Sequence, residues 1–132
     1  MDLYTAAARL HRTFEVNGDP PALGRHGVIG DGFTCALVGV DGSVDWLCLP
    51  RFDSPSAFAS ILDPERGGCF RISPAMRPFT SLQAYDSNTN VLQTLFRRPG
   101  EGSVVLTDFM PWSDDPRSSI HEVHRLVEAR EG

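Results

Sequence analysis

The 132-residue sequence contains no lysine, so all twelve of its basic residues are arginines. Seventeen acidic residues give a formal net charge of −5. A chain of that sign has no general attraction for phosphate backbones, and we therefore expect no nucleic-acid partner. The exclusive use of arginine is typical of a bias in genome composition rather than of a binding site.

Long apolar stretches are also missing. No segment approaches the roughly 20 apolar residues that a transmembrane helix needs. The first 16 residues have neither the apolar centre nor the small-residue cleavage site of a signal peptide. The three cysteines are an odd number without close pairing motifs, which favours a reducing compartment over a disulfide framework. We therefore expect no membrane association and a cytoplasmic location.

Motifs for metal, phosphate and nucleophilic chemistry are scarce. The three cysteines and four histidines show no CxxC or HxxxH spacing, although His121 and His124 lie three residues apart. The glycines of "GVIGDG" are not followed by the Lys-Ser/Thr ending of a phosphate-binding loop. No nucleophile elbow is present, although a Ser/His/Asp catalytic set without that motif stays an open alternative. The sequence predicts no metal and no cofactor.

A β-hairpin is the clearest local pattern that the sequence does contain. Asp41-Gly42 separates two segments rich in β-branched and aromatic residues, which predicts a hairpin with a type I′ turn. A two-residue loop fixes the register, so that Leu37 faces Trp46 and Cys35 faces Cys48. We expect the two facing cysteines to be reduced core residues, because the compartment is reducing and cysteine is often buried.

Further strand patterns follow in "CFRIS", "FTSLQAY", "NVLQTLF" and "SVVLTDFM". Short strands separated by turn clusters predict an antiparallel all-β sandwich. Ser54-Pro55 resembles a helix N-cap followed by proline, which predicts one short helix through "SAFASILD" after the hairpin. Residues 120–129 have helical spacing and a capping box, so local propensity favours a helix there while strand pairing stays possible.

The loop after the hairpin carries candidate binding residues. Arg51 and Asp53 lie between two prolines, and charged side chains on a stiff loop are good partners for sugar hydroxyls. The pattern alone favours a structural alternative, in which Asp53 caps the helix or pairs with Arg51 while Phe52 anchors the loop in the core. Together with Trp46 in the hairpin, Arg51 and Asp53 are our candidate substrate-binding residues.

The long run "IGDGFTCALVGVDGSVDWLCLPRFDSPSAFASILDPERGGCFRISP" resembles the start of bacterial and archaeal members of glycoside hydrolase family 15, the glucoamylases and trehalases. The blocks "YDSNTNVLQTLFRRPGEGSVVLTDFMPW" and "HEVHRLVEAREG" follow in the order of that family. The resemblance covers residues 20–132 and implies an N-terminal, supersandwich-like β-domain, with residues 1–19 as an N-terminal extension. It also implies that residues 120–129 form a strand, which is the interpretation that we adopt.

The resemblance implies a function as well. Members of this family hydrolyse α-glucosidic bonds with inversion, and the general acid and base come from an α/α-barrel catalytic domain. Nothing in the sequence matches the barrel motifs, so we expect a fragment that is truncated before the barrel and has no catalytic residues of its own. The resemblance implies that this domain supports the barrel and borders its sugar site. The partners would be the barrel and an α-glucoside, either trehalose or a maltooligosaccharide.

Two other functions stay open. The chain could be a stand-alone carbohydrate-binding or protein-interaction module that contacts its ligand through aromatics such as Trp112 or Tyr85. It could also be a truncated, non-functional remnant. An incomplete sandwich would expose unpaired strand edges and part of an apolar face, which predicts low stability and a tendency to self-associate.

Overall fold

The computed structural model describes residues 13–131, which form ten strands in two antiparallel sheets. In chain order the strands are β1 (Phe14–Val16), β2 (His26–Gly30), β3 (Cys35–Gly39), β4 (Ser43–Cys48), β5 (Ser56–Phe58), β6 (Phe70–Arg71), β7 (Phe79–Tyr85), β8 (Leu92–Arg98), β9 (Gly102–Phe109) and β10 (His124–Glu131). The first sheet has the order β1-β7-β8-β9-β10. The second has the order β2-β3-β4-β5, and β6 also pairs with β4.

Apolar side chains from both sheets meet in a core between them. The largest buried cluster joins the two sheets and contains Ile29, Ala36, Val38, Val44, Leu47, Leu92 and Met110. In a neighbouring cluster the rings of Phe79 and Phe96 meet edge to face, with 5.4 Å between their centroids. Burying a side chain of this size contributes about 1.5–3 kcal/mol. These contacts confirm the predicted all-β antiparallel sandwich.

The hairpin of β3 and β4 confirms the predicted strand pairing. Leu37 faces Trp46 and Ala36 faces Leu47 as the predicted register requires, whereas Val38 faces Val44, so a register shift separates these pairs from the turn. Cys35 and Cys48 are free thiols, partly and fully buried respectively. The two cysteines therefore behave as small apolar residues of the hairpin.

The turn of this hairpin differs from the prediction. Residues 39–42 form the turn, closed by a 2.9 Å hydrogen bond from the Gly42 N–H to the Gly39 carbonyl. Gly42 has φ of +83°, whereas Asp41 has no positive φ. A type I′ turn requires positive φ at both central residues, so the predicted turn type is wrong. The Asp41 carboxylate stabilises the observed geometry, because it accepts a hydrogen bond from the Ser43 N–H at 3.1 Å.

The segment after the hairpin is a strand followed by turns. Ser56–Phe58 pairs with the end of β4, and Ala59 and Ser60 donate backbone hydrogen bonds to the carbonyls of Gly67 and Gly68. The short helix predicted through "SAFASILD" is therefore wrong. Pairing with other parts of the chain uses the backbone groups that helical hydrogen bonds would have required.

The last strand, β10, settles the ambiguity at residues 120–129. His124–Glu131 pairs along its length with β9, so the strand implied by the family resemblance is confirmed for this part of the segment. Pairing with a neighbouring strand overrides the local helical spacing. Leu126 and Val127 on this strand are about half exposed, which is the exposure of apolar side chains expected at such an edge.

Part of the predicted N-terminal extension contributes a strand. Residues 1–12 lie outside the described part of the chain, whereas Phe14–Val16 pairs with Phe79–Ser81 at one edge of the first sheet. Val16 is buried against Phe79 in the core. Across residues 13–131 the structure contains no helix with the length and apolarity of a membrane span.

Candidate functional site

Two of the three predicted binding residues lie together on the loop after β4. Arg51 Nε donates to Asp53 Oδ1 at 3.0 Å, and the two side chains are 63% and 60% exposed. The hydrogen bond from Arg51 lowers the pKa of the Asp53 carboxyl. Ser54 closes the loop, since its hydroxyl accepts from the Arg51 N–H and its own N–H donates to the Arg51 carbonyl. The two charged groups are paired and remain accessible to a ligand.

Phe52 does not anchor this loop in the core. Its side chain is 68% exposed, and its N–H donates to the Phe33 carbonyl at 3.1 Å. The structural alternative considered from the sequence is therefore right about the ion pair and wrong about Phe52. The bond to Phe33 fastens the loop to the turn between β2 and β3.

That turn contains a buried carboxylate bonded to a histidine. Asp31 Oδ1 accepts from the N–H groups of Phe33 and Thr34, and His121 Nδ1 lies 2.7 Å from Asp31 Oδ2. Burial favours the neutral acid, but these hydrogen bonds outweigh it and lower the pKa of Asp31. The ring of Phe33 also meets the His121 ring edge to face at 5.3 Å. Neither Asp31 nor His121 was predicted as a site residue, because 90 residues separate them and no local spacing connects them.

Two exposed apolar side chains lie in the segment that leads to this histidine. Trp112 is 68% exposed and packs over Gly32, where an added Cβ would lie 3.3 Å from the indole Nε1. Ile120, next to the histidine in sequence, is also largely exposed. We call the surface formed by residues 31–34, 51–54 and 112–121 the loop end of the sandwich.

Trp46, the third predicted binding residue, is not part of the loop end. Its half-buried indole and Leu37 line a cavity of about 690 Å³, on the face of the second sheet that is turned away from the core. Pro20, Pro21, Ala22, Leu23, Ile61, Leu62 and Pro64 supply most of the apolar wall. Arg51 and Asp53 do not line this cavity, so the structure separates them from Trp46.

A network of buried polar groups borders the Trp46 cavity. The Asp45 carboxylate accepts hydrogen bonds from Ser43 Oγ and Ser60 Oγ, each at 2.7 Å, and His26 Nε2 lies 2.8 Å from Asp45 Oδ2. The network contains serine, histidine and aspartate, but both hydroxyls donate to the carboxylate and neither contacts the histidine. It therefore does not have the serine-to-histidine contact that activates a nucleophile.

Acceptors face both nitrogens of the His26 ring and favour its charged form. Nε2 faces the Asp45 carboxylate, and Nδ1 lies 3.1 and 3.2 Å from the carbonyls of Ala22 and Leu23. Burial disfavours the charge, but the hydrogen bond to Asp45 and those to the carbonyls outweigh it and raise the pKa of His26. The same contacts with His26 and the serines outweigh burial at Asp45 and lower the pKa of that carboxyl.

Each buried carboxylate in the described part of the chain has a basic partner on another element. The four pairs are Asp31 with His121, Asp41 with Arg71, Asp45 with His26, and Asp108 with Arg125. Buried charges are tolerated when they are paired in this way. Among residues 13–131, no group of three His, Cys, Asp or Glu side chains is close enough to hold a metal ion. Through these four ion pairs, the buried carboxylates join separate loops and strands of the domain.

The pair of His26 and Asp45 predicts a pH window of maximal stability. The pKa of His26 is raised above 6.5, so its contribution is complete below that pH and is lost as the pH rises through the folded-state value. The pKa of Asp45 is lowered below 3.8, so its contribution is present above that pH and is lost as the pH falls through the folded-state value. We expect this pair to stabilise the fold most between about pH 4 and pH 6.5.

Urea unfolding of the wild type and of His26→Asn, at about pH 5 and about pH 8, checks this expectation. The wild type should lose stability between the two pH values, and the variant should lose clearly less. His124→Asn is the matched control, because that ring is partly exposed on β10. An identical loss of stability in the wild type and in His26→Asn would contradict the assignment of this pH dependence to the pair of His26 and Asp45.

Comparison with known proteins places these features in context. Residues 10–130 match a family model described as "Trehalase-like, N-terminal". The chain is 44% identical over 110 residues to a trehalase of Thermoplasma volcanium, covering 83% of this chain and 18% of that protein. It is 35% identical over 123 residues to a trehalase of Mycolicibacterium smegmatis, covering 89% and 17% respectively. The chain thus spans about a sixth of the length of these relatives. No solved structure gives a significant match.

Proposed function

The chain belongs to the trehalase-like N-terminal domain family, and on that premise we propose that it is the non-catalytic β-sandwich domain of a trehalase- or glucoamylase-like glycoside hydrolase. In this proposal an α/α-barrel supplies the general acid and base that hydrolyse trehalose or a maltooligosaccharide. The observation that carries the proposal is the family match over residues 10–130. Relatives named trehalases, of whose length the chain spans about a sixth, support it.

We propose that the loop end faces the barrel and borders its sugar site. Arg51 and Asp53 are accessible there as a donor and an acceptor for sugar hydroxyls. The exposed side chains of Phe52 and Ile120 support this orientation, because neighbouring apolar side chains on a surface commonly mark a contact with another domain. The buried carboxylates serve the architecture of the domain, which is consistent with a supporting role.

Trp46 is a separate part of the proposal. A partly exposed indole in a cavity offers an apolar ring face, and the Arg71 side chain that also lines the cavity offers hydrogen-bond donors. We propose this cavity as a second place where a sugar ring contacts the domain. It lies apart from the loop end, so its role can be tested independently.

A domain exchange tests the supporting role. The matching N-terminal part of the Thermoplasma volcanium trehalase is replaced by this chain, and the chimera is compared with the same enzyme lacking that part. We expect the chimera to hydrolyse trehalose or maltooligosaccharides and the deletion variant to be inactive. Full activity of the deletion variant would contradict the proposal, as would a folded chimera that is inactive on both substrates.

Asp53→Asn in the active chimera tests the rim of the sugar site. We expect the KM for trehalose to rise roughly 3- to 10-fold with kcat nearly unchanged, because an exposed hydrogen bond contributes to binding more than to the chemical step. The Tm should not change, since Asp53 is largely exposed. Glu101→Gln, on the turn between β8 and β9, is the matched control and should leave KM unchanged. An unaltered KM in Asp53→Asn would remove Asp53 from the site.

A further inference from the structure

His121 is placed at the loop end with one ring nitrogen fixed and the other available. Nδ1 lies 2.7 Å from Asp31 Oδ2, and Asp31 is itself held by two backbone N–H groups and is 2% exposed. In a neutral imidazole, a carboxylate that accepts from one ring nitrogen fixes the proton there and leaves the other nitrogen as an acceptor. Within residues 13–131, Nε2 has no hydrogen-bond partner, and 22% of the side chain is exposed. Part of the imidazole is therefore exposed to a ligand.

An exposed indole shares the same turn. Trp112 packs over Gly32, while His121 bonds to Asp31 and touches the ring of Phe33, so both side chains contact the three residues 31–33. The small Gly32 permits this approach, because an added Cβ would meet the indole at 3.3 Å. The indole and the imidazole thus both contact the same short turn.

The charges of the loop end favour a neutral ligand. Arg51 is already paired with Asp53, and the buried Asp31 is paired with His121. Asp114, Asp115 and Arg117 are also exposed on this surface, and together they leave it with one negative charge in excess, which does not favour an anion. A pyranose ring is uncharged, has an apolar face of C–H groups and carries hydroxyls around its rim. It therefore matches both the indole face and the imidazole acceptor.

We propose that the loop end binds a glucosyl unit of a neutral sugar, with its ring stacked on Trp112 and one of its hydroxyls donating to His121 Nε2. Asp31 acts as a positioning residue, because it fixes the tautomer and the orientation of the histidine ring. The choice of a glucoside rests on the function proposed above. The binding residues themselves follow from the geometry of the turn.

Tryptophan fluorescence of the isolated chain tests this site directly. The sequence has two tryptophans, so Trp46→Phe leaves Trp112 as the sole reporter. Titration of this variant with trehalose or maltose should give a saturable change in emission, whereas sorbitol at the same osmolality should not. The stacked sugar removes water from an indole that is 68% exposed, which is why the emission should change.

His121→Asn in this background separates the sugar contact from the structural one. The asparagine amide can still donate to Asp31 but lacks an acceptor at the position of Nε2, so we expect about 5-fold weaker binding, measured at a temperature at which circular dichroism shows the variant to be folded. His124→Asn is the matched control and should bind like its parent, because that ring lies on β10 beside Glu122 and Phe109. Equal affinity in His121→Asn, or no saturable response in the parent, would overturn the proposal.

The two proposals can fail separately. If the chimera is inactive while the isolated chain binds trehalose through His121, the supporting role is wrong and the sugar site stands. If the chimera is active while the isolated chain shows no saturable binding, the sugar site is wrong and the supporting role stands.

Discussion

Replacing Arg125 with alanine is expected to lower the free energy of unfolding by about 3–5 kcal/mol, because it leaves the Asp108 carboxylate buried without a partner. The guanidinium contacts both carboxylate oxygens, with Nε 2.7 Å from Oδ1 and Nη2 3.1 Å from Oδ2. The two side chains are 2% and 0% exposed. Urea or guanidinium unfolding, monitored by circular dichroism, measures the loss.

The position of Arg125 explains why the effect should be large. It lies on β10 of the first sheet, and its Nη1 and Nη2 donate to the carbonyls of Phe70 and Gly42 at 2.8 and 2.7 Å. Its guanidinium also lies over the Phe70 ring at 4.9 Å. One side chain therefore ties the end of the first sheet to β6 and to the hairpin turn of the second. We expect the unfolding transition to become less cooperative when it is removed.

Two further variants define the cause of this loss. Arg130→Ala, on the same strand, should change stability by less than about 0.5 kcal/mol, because its ion pair with Glu128 is exposed. The double variant Arg125→Met/Asp108→Leu should recover much of the loss, since burial raises the pKa of Asp108 despite Arg125 and the pair carries a large desolvation cost. A double variant as unstable as Arg125→Ala would contradict this account.

Asp45→Ala is expected to cost about 2–4 kcal/mol, the second-largest effect. The substitution removes the acceptor shared by Ser43 and Ser60 and leaves the buried, charged His26 ring without its counter-ion. The loss should shrink as the pH is raised from about 5 to about 8, because the His26 ring can then release its proton. Chemical unfolding of the wild type and of Asp45→Ala at the two pH values measures the loss of unfolding free energy at each pH.

The exposed Asp114 supplies the control for this prediction. Asp114→Ala changes the net charge in the same way, but its side chain is on the surface, and it should alter stability by less than about 0.5 kcal/mol at either pH. If Asp45→Ala behaves like Asp114→Ala, the polar network beside the Trp46 cavity does not hold the second sheet together.

Much of the fold could be predicted from local patterns. The segments proposed as strands include β6 and β7 and overlap most of β8 and β9. The predicted pairing of Leu37 with Trp46 is present, although a register shift lies between this pair and the turn. Alternating apolar residues are required wherever one face of a strand is buried, so the sequence carries that information in the strands that contribute to the core. The family resemblance adds the strand at residues 120–129, which local propensity alone would have made a helix.

The candidate site could be predicted only in part. Arg51 and Asp53 are close in sequence, so their ion pair could be expected from the loop alone. Asp31 and His121 are 90 residues apart, and nothing in the spacing of either one indicates the other. The exposure of Phe52 could not be predicted either, because an aromatic residue in a proline-bounded loop is compatible with the core and with the surface.

By itself, the sequence determined the fold class, the positions of most strands and the membership of a family, because these depend on the periodicity and order of residues along the chain. The tertiary structure decided the turn at residues 39–42, the strand in place of a helix at Ser56–Phe58, and the contacts of Arg125 with Gly42, 83 residues away. The strand and the Arg125 contacts depend on pairing between separate segments, and the Gly42 carbonyl of the turn accepts from the Ile72 N–H as well as from Arg125. A buried polar group takes whichever partner packing brings to it, and local propensity cannot specify that partner.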